Sequence, residues 1–105
     1  MTTLIAKAGE LGVRVETDVR MQRLVTDADG RVVGLVTTRF GKQVAARARK
    51  GVVLATGSFA YNDEMMQAYA PRLYQRPAGT VEEHDGRGIL MAQALGARLA
   101  HMDAC

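Results

Sequence analysis

Cysteine is almost missing from the sequence, which contains a single one, Cys105. A lone thiol cannot form an internal disulfide, so a disulfide-stapled scaffold is excluded and a reducing compartment such as the cytoplasm is favoured. No base lies next to Cys105 to activate it, and we interpret it as a core residue of a strand. His84 and His101 are far apart in sequence and have no cysteine or acidic pattern around them. We therefore predict no metal site.

Long apolar runs and aromatic residues are also scarce. No run approaches the ~20 residues that a transmembrane helix needs, and the first residues, MTTLIAKAGELG, lack the pattern of a signal peptide. Aromatic residues make up 5% of the chain, and the net charge of +3 is dispersed apart from a denser run at Arg47, Arg49 and Lys50. We expect neither a membrane span nor a nucleic-acid partner. With 48% hydrophobic and 24% charged residues, the 105 residues are typical of one small ordered domain.

The first half of the chain predicts a helix, a strand and a β-meander. Apolar residues at helical spacing indicate a helix over 2–11 that Gly12 ends, and three valines and a threonine at every second position indicate a strand over 13–19. From about 20 to 50 we predict a three-stranded antiparallel meander with at least one face in water. Its first turn, at Asp29-Gly30, is predicted to be type I′, and its second lies at Phe40-Gly41-Lys42.

The second half begins with GVVLAT, residues 51–56, a continuous apolar run that is typical of a parallel strand buried on both faces. Asn62 or Asp63 is predicted to cap a short helix that Pro71 ends, followed by a loop over 71–80. Asp85 is predicted to cap a helix over about 86–95, and a further strand is predicted over 97–105. Because the predicted parallel strands have too few partners, we expect a fragment of a larger α/β protein.

Small residues follow the predicted parallel strand. In open parallel sheets, ligands lie at the carboxyl ends of the strands, and Ala55, Thr56 and Gly57 would let a cofactor approach the backbone there. The alternative is a buried strand that ends in an ordinary glycine turn.

A second candidate is DGRG, residues 85–88, at the start of a helix. Its exposed N–H groups and the helix dipole suit a phosphate or another electron-rich group. The run is not a Rossmann fingerprint, because Met91 stands where the third glycine belongs. The alternative is that Asp85 is a plain N-cap. We expect His84 in a solvated loop and the tyrosines at 61, 69 and 74 to be packing residues, and we find no nucleophile–base pair.

These motifs together resemble the fumarate reductase and succinate dehydrogenase flavoprotein superfamily, and within it the bacterial 3-ketosteroid dehydrogenase branch. The resemblance runs from GVRVETDV through DGRVVG and RARKGVVLATGSF to DGRGILMAQALGARL. It implies a partial Rossmann-like FAD-binding domain over 1–105, made of parallel strands, the antiparallel meander and flanking helices. The segment of about 51–59 would face the cofactor.

The resemblance also implies a set of FAD contacts, which are Val19, Ala55, Thr56, Gly57, Asp85 and Gly86. The first would contact the adenine through its backbone, and the next three would line the adenosine. Asp85 would hydrogen-bond the cofactor, and Gly86 would allow its close approach. Ser58 and His84 replace glycines that are common in the family, as in its steroid-acting branch. Asn62 and Tyr61 lie close to the turn formed by residues 55–57 (the ATG turn) and are further candidates for supporting the FAD site.

The resemblance places the catalytic residues and the GxGxxG motif outside these 105 residues, so no catalytic residue is named. The implied activity of the full protein is FAD-dependent dehydrogenation of CH–CH groups in a 3-ketosteroid-like substrate. Two alternatives stay open, namely a fumarate reductase- or succinate dehydrogenase-type flavoprotein segment and a non-enzymatic module. In the module, the meander and the Arg47–Arg49–Lys50 edge would bind an anionic partner.

Overall fold

The protein is described by a computed structural model that covers residues 2–74, 76 and 79–104. In these residues the elements are α1 (Thr2–Glu10), β1 (Arg20–Thr26), β2 (Val32–Arg39), β3 (Lys42–Arg47), α2 (Asp63–Tyr69) and α3 (Arg87–Ala94). None of the helices in the described part is long and apolar enough to span a bilayer.

The three strands form one antiparallel sheet in the order β1-β2-β3, which confirms the predicted meander. Leu24 of β1 pairs with Leu35 of β2, and β2 pairs with β3 in unbroken register from Gly34↔Arg47 onward. The β1–β2 register shifts twice. Every residue of β3 is exposed to solvent. The predicted solvent-exposed face is therefore present, and β3 is exposed beyond what its alternating sequence predicts, because neither of its faces is buried.

The first hairpin turn differs from the type I′ turn that the sequence predicted. Asp29 has no positive φ, so the first turn is not type I′. Instead the Asp27 carboxylate accepts the N–H groups of Asp29 and Arg31 at 2.9 and 3.0 Å, and only Gly30 is left-handed. The side chain of Asp27 thus bends the backbone where a two-residue turn was expected.

Both long helices end in the same motif. At the end of α1, the N–H of Gly12 donates to Gly9 and the N–H of Val13 donates to Ala8, at 3.0 and 2.9 Å. The residues after α3 repeat this pattern, with Gly96 in the position of Gly12. The prediction that Gly12 ends α1 is confirmed, and Gly96 ends α3 in the same way.

The predicted strands over 13–19, 51–56 and 97–105 do not form in the described residues. A strand needs a hydrogen-bonded neighbour, and none of the described segments pairs with these three. The burial predicted for 51–56 is also wrong for this chain, because the side chain of Val53 is 92% exposed. The interpretation of Cys105 as a core residue falls outside the described residues.

A small core forms around α2. Phe59, Met65, Met66 and Ala70 are buried together, and the Phe59 ring packs edge-to-face on Tyr69 with centroids 6.1 Å apart. Tyr69 and Tyr74 both pack against this cluster, as predicted. Tyr61 does not, and its 43% exposure contradicts the prediction that it is a packing residue. Within the predicted loop over 71–80, Gln75, Pro77 and Ala78 lie outside the described residues. The core therefore lies next to the two segments singled out from the sequence, residues 55–57 and 85–88.

Candidate functional site

Hydrogen bonds join the segment after the ATG turn to the segment before α3. The N–H of Tyr61 donates to the carbonyl of His84 at 3.0 Å, and the N–H of Gly86 donates to the carbonyl of Ser58 at 3.2 Å. Local sequence patterns gave no sign that these segments pair. The pairing brings the two candidate motifs together, although 23 or more residues separate the bonded positions (61 to 84; 58 to 86).

Asn62 strengthens this junction with both ends of its amide. Its Oδ1 accepts the N–H of Met65 at 3.0 Å and so caps α2. Its Nδ2 donates to the carbonyl of Asp85 at 2.8 Å. One side chain therefore fixes the start of α2 and the turn before α3.

His84 is half-buried, so the expectation of a solvated loop residue is wrong. Its Nδ1 is hydrogen-bonded to the hydroxyl of Thr80, and its ring lies against Gly57. Gly57 has φ +80°, and a Cβ there would collide with the imidazole. A glycine at 57 is thus required both by the backbone conformation and by the ring above it.

Two further glycines let the backbone of the turn approach its neighbours. A Cβ on Gly86 would lie 2.9 Å from the Cβ of Phe59 and still closer to the sulfur of Met65. A Cβ on Gly88 would collide with the side chain of Thr56. The start of α3 is therefore packed tightly onto the core and onto the ATG segment.

Asp85 is placed one residue earlier than the sequence predicted. The N-cap position of α3 belongs to Gly86, which has no side chain to cap with. The Asp85 carboxylate nonetheless accepts the N–H of Arg87 at 3.0 Å through Oδ1. Its Oδ2 lies 3.7 Å from guanidinium nitrogens of both Arg20 and Arg87. These ion pairs are half-exposed and add little stability, but they orient the carboxylate.

An open groove of about 1110 Å³ runs along this junction. Its walls come from the start of β1, the tip of the β2–β3 hairpin, Thr56 and the first turn of α3. Three of the predicted residues, Val19, Thr56 and Asp85, line it together. The other three do not line it: Gly57 lies against the His84 ring, Gly86 is buried, and Ala55 is exposed outside the groove lining.

The donors around the groove suit an electron-rich ligand. The N–H of Arg87 is taken by Asp85, but the N–H groups that directly follow it have no intrahelical acceptor, and the helix dipole adds positive potential there. Arg20 and Arg87 add positive charge, and Thr56 adds a hydroxyl. Glu82 and Glu83 also line the groove. A phosphate would therefore bind near the arginines and away from these two carboxylates. Among residues 2–74, 76 and 79–104, no cluster of His, Cys, Asp and Glu could hold a metal ion.

The family comparison matches the whole chain. Residues 1–105 match the model of the FAD binding domain family. The chain belongs to this family, and its cofactor is FAD. The donor set of the groove fits that cofactor, because FAD carries phosphates, hydroxyl groups and two electron-rich ring systems.

Individual relatives are dehydrogenases and reductases. A 3-ketosteroid-Δ4-(5α)-dehydrogenase from Rhodococcus jostii RHA1, solved with 4-androstene-3,17-dione, is 68% identical over 96% of this chain with a TM-score of 0.92. A probable fumarate reductase of Shewanella frigidimarina is 33% identical over 101 residues, and a 3-oxosteroid 1-dehydrogenase of Comamonas testosteroni is 32% identical over 102. The chain covers 21% of the first protein and 17% of each of the other two.

Proposed function

We propose that residues 1–105 form the adenosine-binding part of an FAD site, and that the complete polypeptide is an FAD-dependent dehydrogenase of a 3-ketosteroid-like substrate. The observation that carries the substrate class is the 68% identity, over 96% of this chain, to a dehydrogenase solved with a 3-ketosteroid. The groove shared by Val19, Thr56 and Asp85 supports the cofactor role of these residues.

The six proposed residues contact or support the cofactor in different ways. The backbone of Val19 contacts the adenine, and Ala55, Thr56 and Gly57 form the edge along which the adenosine lies. Asp85 acts mainly through the turn that it stabilises, since one oxygen is already bonded to Arg87. Gly86 lets this turn pack closely onto the core, because a side chain there would collide with it. In that position the turn can approach the cofactor.

Bound FAD supplies a two-electron acceptor for the introduction of a C=C bond next to a ketone. The residues of this chain orient the cofactor and compensate its negative charge. Thr56 and the start of α3 hold polar groups of FAD, and Arg20 and Arg87 lie where they would offset phosphate charge. The substrate and the catalytic residues are expected on other parts of the complete polypeptide.

We also propose that segments 13–19 and 51–56 are strands of a Rossmann-like parallel sheet in the complete polypeptide. Val13, Val15 and Val53 are all more than half exposed in this chain. Apolar side chains in this number are normally covered, and a parallel sheet is covered on both faces. The segment of about 51–59 would then end at the cofactor. The single cysteine supports a reducing compartment such as the cytoplasm.

Fumarate reduction on the same scaffold is the second candidate, because a probable fumarate reductase is 33% identical over 96% of the chain. The anion-binding module has weaker support. It depends on the exposed strand β3 and the basic residues after it, where Arg31 bonds the carbonyl of Arg49.

The test uses the complete polypeptide that contains residues 1–105, purified and examined for its visible spectrum. We expect a flavin spectrum and dye-coupled oxidation of 5α-3-ketosteroids that are saturated at C4–C5, with a 4-ene-3-ketosteroid such as 4-androstene-3,17-dione as the product. A protein that stays colourless after incubation with FAD would refute the cofactor role. A flavoprotein that reduces fumarate and leaves steroids unchanged would instead favour the second candidate.

A further inference from the structure

A phenylalanine occupies a backbone conformation that bulky residues avoid. Phe40 has φ +48° and Gly41 has φ +78°, and the pair Arg39↔Lys42 flanks them. These two residues are thus the centre of a two-residue type I′ turn, where both residues need positive φ. Asn, Asp and Gly are the usual residues there, and an aromatic residue is an outlier.

Core packing does not explain this residue. The side chain of Phe40 is 80% exposed, and it is not part of the buried cluster around α2. Its ring makes a cation–π contact with Arg39, whose Cζ lies 5.4 Å from the ring centroid. A strained residue that contributes neither to the turn nor to the core indicates a function for its side chain.

The ring of Phe40 lines the same groove as Val19 and Thr56. These are the residues proposed above to contact the adenosine, so an aromatic ring stands at the adenosine end of the site. Met21 and Met91 line the groove as well, and their flexible thioethers can adapt to a flat ring. Planar rings prefer to stack, and a guanidinium beside the ring strengthens such a stack.

We propose that Phe40, supported by Arg39, is a binding residue that stacks on the adenine of FAD. The inference rests on the proposed function and adds to it a side-chain contact for the adenine. It also explains why the turn tolerates an unfavourable residue, because replacing Phe40 by a better turn former would remove the ring.

Phe40→Asn removes the aromatic ring and preserves the turn, since Asn-Gly is the preferred type I′ pair. In the complete polypeptide we expect the apo form of this variant to melt no lower than wild type. We expect FAD to bind roughly three- to ten-fold more weakly by titration calorimetry, as one lost aromatic stack would cause. ADP, which carries the adenosine and its diphosphate without the flavin, should weaken by the same factor.

Two further variants keep the test decisive. Phe40→Tyr retains the ring and should bind FAD like wild type, whereas Phe40→Leu retains only apolar bulk and should bind like Phe40→Asn. Ala28→Asn changes the other hairpin tip, outside the groove lining, and should leave FAD affinity unchanged.

Three results would overturn the proposal. One is FAD binding by Phe40→Asn or Phe40→Leu that equals wild type. Another is weaker FAD binding with unchanged ADP binding, which would place the ring against the flavin. The third is a lower melting temperature of Phe40→Asn with unchanged FAD affinity, which would show that the ring packs against protein. If wild type itself binds no FAD, the proposed function fails first.

Discussion

At the scale of single residues, the amide of Asn62 links two parts of the site. Its oxygen caps α2 and its nitrogen holds the carbonyl of Asp85. The two roles can be separated, because a carboxylate keeps the acceptor and lacks the donor. The consequence for FAD binding can thus be measured apart from the consequence for the helix.

In the complete polypeptide, we expect Asn62→Asp to keep the α2 cap and to release the Asp85 turn. FAD affinity should then fall by up to about ten-fold, the effect of one hydrogen bond, with a small change in melting temperature. Asn62→Ala should lose the cap as well and cost about 1 kcal/mol more in stability. Calorimetry and FAD titration of both variants measure these effects. Wild-type FAD affinity in Asn62→Asp would show that the bond to Asp85 does not position the site.

Residue types alone predicted part of this arrangement. A short polar side chain before an apolar run has a local signal, which correctly predicts Asn62 as a cap of α2. The same signal at Asp85 is one residue off, because the N-cap of α3 is Gly86. The burial of His84 against Gly57 had no such signal, since the contact joins residues far apart in sequence. Phe40 did have one, because a bulky residue before a glycine at a hairpin tip is unusual, but its place at the groove depends on the tertiary structure.

At the scale of elements, the approach of β2 to β3 depends on a glycine. A Cβ on Gly34 would collide with the carbonyl oxygen of Ala46 and lie 3.3 Å from its carbon. These are backbone atoms of the neighbouring strand, which cannot rotate away as a side chain can. The sheet must therefore shift if residue 34 carries a side chain.

We expect Gly34→Ala to lower the stability of the complete polypeptide by about 1–3 kcal/mol, as overpacking does. Gly9→Ala is a matched control, because a Cβ on Gly9 meets nothing within 4 Å and alanine favours the helix α1. Thermal or denaturant unfolding of the two variants tests this. Equal stability of Gly34→Ala and wild type would mean that the meander adjusts without strain.

The helices and hairpins were predictable because their signals lie within a few residues of one another. Gly12 and Gly96 end helices, and the period of two in β3 indicates a strand with a wet face. The segments 13–19 and 51–56 differ, since a parallel strand forms only beside a partner that is distant in sequence. Their apolar pattern describes a covered sheet, and the described residues do not provide the cover.

At the scale of the whole molecule, the chain combines a small core with many uncovered apolar side chains. The buried hydrophobic residues are only Phe59, Met65, Met66, Ala70 and Met91 among those described. Val13, Val15 and Val53 are exposed, and they belong to the segments proposed as parallel strands. The groove is likewise open on one side, so a ligand in it would keep much of its surface in water.

These features predict how residues 1–105 behave as an isolated chain. Binding must offset the lost motion of a dinucleotide, and a groove that covers one side of the ligand provides too few contacts to do so. We expect the isolated chain to bind FAD far more weakly than the complete polypeptide and to show no FAD-dependent turnover of 3-ketosteroids or fumarate. We also expect it to bind a hydrophobic dye, because its valines are uncovered.

Parallel FAD titrations and dye-coupled assays of the isolated chain and the complete polypeptide check this prediction. Circular dichroism of the isolated chain is the control, because loss of binding through unfolding would appear as loss of helix and strand signal. Turnover by a folded isolated chain would contradict the prediction. It would mean that the groove formed by Thr56 and the start of α3 is enough to hold FAD for catalysis, and that residues 1–105 contain groups that react with the substrate.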